Sequence, residues 1–162
     1  MYDQAGAVAP SDPSGPREGG MRAARWGEVE WARPRLEEAA RRGANDAPMW
    51  HTLGLVSIHG HDLETAERAY AAGLRADPHA LDCRLGLATV AALRDRAETA
   101  LIEYDAILAE RHDWAEPHLG RAWALRRLGR KDEAKAALVE AERLGAPSRE
   151  IAEQRRMLET PP

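Results

Sequence analysis

The stretch Ala47–Pro78, APMWHTLGLVSIHGHDLETAERAYAAGLRADP, decides the fold. It reads as two amphipathic helices divided by His59-Gly60-His61-Asp62 and closed by Asp77-Pro78. Trp50, Leu53 and Gly54 share one face of the first helix. Ala66, Tyr70 and Gly73 share one face of the second, because residues three and four apart in sequence meet on one side of a helix. Gly54 and Ala66 are small enough to let the two backbones approach, and Trp50, Leu53 and Tyr70 supply bulk around the contact. A hairpin this short cannot bury both its faces, so the same unit should recur and stack.

It does recur. Ala32, Ala66, Ala100 and Ala134 follow one another at intervals of 34, and four residues after each come Leu36, Tyr70, Tyr104 and Leu138. Gly54, Ala88 and Ala122 keep the same interval on the first helices, and Leu53, Leu87 and Arg121 precede them. Two helices with a period of 34 resemble the tetratricopeptide repeat. Trp50, Leu53, Gly54, Ala66, Tyr70 and Pro78 stand where that family carries W, L, G, A, an aromatic residue and P. The resemblance implies an all-α fold, a right-handed superhelical array of antiparallel helix pairs. About three units are expected over 47–146, with a degenerate half-repeat or cap over 21–46 and a capping helix and tail over 147–162.

Both ends depart from the pattern. Residues 1–20 carry Pro10, Pro13 and Pro16 among Gly, Ser and Ala, with few large apolar side chains, and are expected to be a disordered tail. Pro34 interrupts the next helical run, which predicts either a short helix starting near Arg33 or a kinked longer one. Trp26 and Trp31 are expected to cover the end of the core, or alternatively to form an apolar patch for homo-oligomerisation or another partner. Gly43, Gly60, Gly129 and Gly145 mark helix ends, Asp62 can cap a start, and Arg94-Asp95-Arg96 makes a turn without glycine. At the other terminus Ser148 is expected to cap a helix with Ile151, Met157 and Leu158 on its apolar side.

Composition narrows function. With 44% hydrophobic and 31% charged residues and a formal net charge of -4, the chain is not a basic nucleic-acid binder. No apolar run is long enough to cross a bilayer, so no membrane insertion is expected and a cytoplasmic location is the simplest reading. The single cysteine, Cys83, falls between Leu81 and Leu85 early in a helix and reads as a packed structural thiol. No phosphate loop, nucleophile elbow or zincin motif occurs, charges such as Glu64/Arg68 alternate along helix surfaces, and neither catalytic residues nor a cofactor are expected. His51, His59 and His61 raise the alternative of a metal-dependent protein, but the turn carries His61 away from His51, and no metal is the expectation.

Surface recognition remains. In tetratricopeptide proteins the first helices line a concave groove, with exposed positions at the fifth, ninth, twelfth and thirteenth residues of each unit. Carried over, these are His51, Leu55, Ile58 and His59; Leu85, Thr89, Ala92 and Leu93; and Leu119, Trp123, Arg126 and Arg127. Such a groove is apolar in its middle and basic at one end. The subset of the family that clamps acidic tails uses Lys, Asn and Arg where this chain has His51, Leu55, Gly86, Glu116 and Gly120, which argues against that clamp. The expectation is a non-enzymatic module that binds a peptide or helix of a partner protein, as an adaptor or assembly factor. A chaperone similar to those holding translocator subunits in type III secretion is the alternative. Arg121, where an apolar residue is expected, leaves open whether Leu119 and Trp123 face the groove or the core.

Overall fold

The structure, a computed structural model, describes residues 12–159, and among them every regular element is a helix. In chain order these are α1 (Ser14–Arg25), α2 (Val29–Arg41), α3 (Ala47–His59), α4 (Leu63–Ala76), α5 (Leu81–Leu93), α6 (Ala97–Glu110), α7 (Ala115–Arg127), α8 (Lys131–Arg143) and α9 (Ser148–Glu159). The chain divides into two compact units, with the break between Cys83 and Arg84. Residues 1–11 of the expected tail, with Pro161 and Pro162, lie outside the described residues.

In the first unit α1 packs on α2, α3 on α4, and both α1 and α2 touch α3. Leu36, Met49, Leu53 and Val56 form its apolar centre together with small residues such as Ala23, Ala39 and Ala69. The contacts that hold the pairs together recur. A Cβ added at Gly54 would lie 2.4 Å from Tyr70 Cε1, and one added at Gly20, 34 residues earlier, 2.7 Å from Leu36 Cγ. The first helix of a complete additional pair therefore occupies part of the segment expected to be a tail. Its burial needs no large side chain of its own: Gly20 and Ala23 are its buried residues, and α2 contributes Leu36. Arg17 holds it down by donating from Nε and Nη2 to the two carboxylate oxygens of Asp46, both at 2.7 Å.

Two other expectations change at this end. α2 runs continuously through Pro34, with no new start near Arg33. The carbonyl of Glu30, four residues earlier, loses its helical donor, but both residues are exposed, so water can replace it. Trp26 and Trp31 are 71% and 61% exposed and do not cover the core. Trp26 lies past the last buried residue of α1, and in α2 the inward place beside Trp31 belongs to Ala32. The Arg35 guanidinium sits 5.1 Å above the Trp31 ring.

In the second unit α6 packs on α7, α7 on α8, and α9 on both α7 and α8. Leu101, Tyr104, Leu119, Leu125, Leu138, Ile151 and Leu158 are the large buried side chains of its core. A Cβ at Gly120 would come within 2.2 Å of Tyr104 Cζ, so Gly120 is needed where α7 crosses that ring. Arg121 is accommodated by donating to Asp105 at 2.6 Å, at the surface. Of the three apolar residues expected on α9, Ile151 and Leu158 are buried and Met157 is exposed.

The backbone repeats more faithfully than the side chains. The turn joining the two helices of each pair contains one residue in the left-handed region, namely Gly27, His61, Asp95 and Gly129, each 34 after the last, with φ between 58° and 76°. The next N–H in each turn closes the helix end, as Glu28 donates to Ala23 O, Asp62 to Ser57 O, Arg96 to Ala91 O and Arg130 to Leu125 O at 2.8–2.9 Å. The special conformation thus falls on His61, whereas Gly60 keeps φ -81°.

Candidate functional site

In the first unit, α1 and α3 frame two clefts. One, of about 300 Å³, is lined by Met21, Ala24 and Arg25 of α1 and by Leu55, Val56 and His59 of α3. The other, of about 560 Å³, is bounded by Met21, Pro48, His51, Thr52 and the segment 77–83. Met21 and Thr52 border both. Of the residues expected here from sequence, Leu55 is 42% exposed, His59 is exposed and His51 half-buried, while Ile58 is half-buried and borders neither cleft. Met21, Ala24 and Arg25 were not expected, yet they stand 34 before Leu55, Ile58 and His59. Extending the ladder from Gly54 back to Gly20 would have found them.

His51 lies 6.0 Å from the Tyr70 ring between centroids. Burial lowers its pKa and the nearby Asp82 carboxylate pulls the other way, leaving the imidazole neutral near pH 7. The Tyr70 hydroxyl and Ser57 Oγ are buried with no hydrogen-bond partner among the described residues, and burial raises the Tyr70 pKa.

The second unit distributes its expected groove residues differently. Leu93 is 54% exposed, and Leu85 and Trp123 are half-buried against the core. Thr89 donates its hydroxyl to Leu85 O at 2.9 Å. Leu119 is only 7% exposed and belongs to the core, which corrects its expected place on the groove. The reason is α9, which lies against α7 and donates from Gln154 Nε2 to Leu119 O at 3.2 Å. Arg127 is engaged by both carboxylate oxygens of Asp95, and Arg126 keeps a buried Nε without an acceptor among the described residues. The basic character expected of α7 is thus half neutralised.

Solved structures share this architecture. YrrB, a TPR protein with an unusual peptide-binding site, superposes with a TM-score of 0.80 at 14% identity, over 91% of this chain and 76% of that one. The fold is that of the tetratricopeptide repeat. TTC0263, a thermophilic TPR protein of Thermus thermophilus, gives a TM-score of 0.76 at 20% identity, covering 91% of this chain and 83% of its own. MamA of Desulfovibrio magneticus RS-1 gives 0.73 at 18% identity over 90% and 92% of the two chains. No protein-family model matches the chain, and no curated protein matches it either. At these identities the likeness concerns the tetratricopeptide fold alone.

Among the described residues no group of three or more His, Cys, Asp and Glu side chains is placed to hold a metal, and His51, His59 and His61 are not brought together. Cys83 is fully buried, with Sγ 3.7 Å from Ala47 O, and burial pushes its pKa up to about 11. The thiol therefore stays protonated at neutral pH and is a poor nucleophile. Among the described residues no helix is long and apolar enough to cross a membrane.

Proposed function

We propose that this chain is a non-enzymatic protein-binding module that takes a segment of a partner protein along the α1/α3 face, as an adaptor or assembly factor. The observation that carries the reading is Leu55, an exposed leucine on a helix whose other apolar positions mostly serve the core, beside clefts that Met21 joins. Burying one leucine-sized anchor there contributes about 1.5–3 kcal/mol, so two or three anchors suffice for a specific complex. The test is capture of the partner from the source cell by wild-type protein and by Leu55→Asp and Met21→Asp variants, with helicity checked by circular dichroism. Loss of capture at unchanged helicity supports the reading. Undiminished capture sinks it.

A second surface supports self-association. Trp26 and Trp31 expose most of two indoles close together in sequence, and large exposed aromatics favour interfaces. Sedimentation of wild type against Trp26→Ser/Trp31→Ser distinguishes a dimer through this patch from a monomer.

A further inference from the structure

The cleft around His51 has a chemistry of its own. Its floor is apolar, with Met21 and Leu81 half-buried and Ala47 buried. Its rim carries two exposed carboxylates, Asp77 and Asp82, and its lining contains no lysine or arginine. Asp77 Oδ1 accepts the His79 N–H at 2.9 Å, which leaves its charge uncompensated, and neither carboxylate forms an ion pair among the described residues. The field reaches into the cleft: Asp82 acts on His51, and Asp82 and Asp77 both act on Cys83. A neutral His51 leaves this field standing at pH 7. The preference is local, because another cleft of the same unit, lined by Trp50 and Leu53, carries Arg33, Arg41, Arg68 and Arg75 against Glu37 alone.

Resting on the groove reading above, we infer that this cleft receives a lysine or arginine side chain of the bound segment, its aliphatic stem on Met21 and Leu81 and its cationic head between Asp77 and Asp82. Long cationic side chains divide in this way wherever apolar surface adjoins charge. The occupant is a partner segment in which a basic residue adjoins the apolar anchor that Leu55 receives. An acidic segment is excluded by two like charges on the rim.

The experiment uses the full chain, immobilised, and four libraries of 12-residue peptides with random flanks and a central residue fixed as Lys, Arg, norleucine or Glu. Lys and Arg libraries should be retained about tenfold over Glu, as one modest charge pair provides, with norleucine between. The Asp77→Asn/Asp82→Asn variant keeps both side chains as hydrogen-bond acceptors and should erase the difference, and Asp82→Lys should shift it toward Glu, both at unchanged helicity. Equal retention of all four libraries by wild type, or retention of none, overturns the inference. The Leu55→Asp variant separates the two readings. If it loses libraries that wild type retains equally, the groove stands and the charge preference falls. If the Lys and Arg preference survives it undiminished, the cleft binds on its own and the groove reading fails.

Discussion

Helices α3 and α7 hold the same register within their repeats and meet different fates. On α3 the fifth and ninth positions, His51 and Leu55, border open clefts. On α7 the same positions are Leu119, which is buried, and Trp123, which leans on the core. Helical offset decides which residues share a face, while the neighbouring helix decides whether that face meets water. For α7 that neighbour is α9. Helix starts differ as well. In the first unit Asp46 caps α3 and Asp62 caps α4 through side-chain hydrogen bonds, while α1 and α2 start without one. In the second, Arg96, Trp114 and Arg130 stand before α6, α7 and α8 with none.

The contrast breaks most directly at the two leucines. Leu119→Ala should cost about 2–5 kcal/mol in urea unfolding, the range for emptying a core site, whereas Leu55→Ala should stay within about 0.5 kcal/mol. Equal effects would dissolve the distinction between α3 and α7. Next in size, Gly54→Ala and Gly120→Ala each press a methyl group into a tyrosine ring and should cost about 1–3 kcal/mol in thermal unfolding. They test whether the two units share the same close approach despite different surfaces.

Asp62 sharpens the difference in capping. The Thr65 N–H at 2.9 Å holds its pKa down to about 2, aided by the Thr65 hydroxyl and by Arg33, whose Nη2 lies at 2.5 Å. A carboxylate depressed on folding stabilises fully above its unfolded pKa of about 3.9 and loses that contribution as pH falls toward 2. Asp62→Ala should cost about 0.5–2 kcal/mol at pH 7 and flatten the decline in stability between about pH 4 and 2. Acid titration of wild type and variant, followed by circular dichroism, checks both. Smallest is His61→Gly, which relieves a left-handed non-glycine residue and should gain up to about 1 kcal/mol. Gly129→Ala, at the equivalent turn of the second unit, should lose about 1–2 kcal/mol. A gain in both would mean that the four turns are not equivalent.

Spacing made most of the fold legible, because Ala32, Ala66, Ala100 and Ala134 must be small where helices cross and so betray the period. α1 was hidden because a helix buried through Gly20 and Ala23 leaves no apolar stripe, only the small residues that also mark disordered chain. Gly60 marks the end of α3 as its place in the repeat implies, but the left-handed backbone falls on His61, which no glycine betrays. Exposure was legible on α3, where repeat offsets name Leu55 and His59, and illegible on α7, where the burial of Leu119 depends on a helix some thirty residues later. Arg121 was the one sign in the sequence that Leu119 could face the core, and Asp105 accommodates its charge on the surface.

Cys83 offers a use that its chemistry alone does not suggest. It is the sole thiol of the chain, and its sulfur fits so tightly that a Cβ on Gly73 would lie 2.4 Å from it. A disulfide-exchange reagent reaches that sulfur only when residues 80–83 lift away from α3 and α4. The labelling rate of native protein therefore measures how often this seam opens, without any engineered probe. Cys83 also lines the acidic cleft, so a segment seated there slows its own site's opening and announces its arrival as protection of a single thiol.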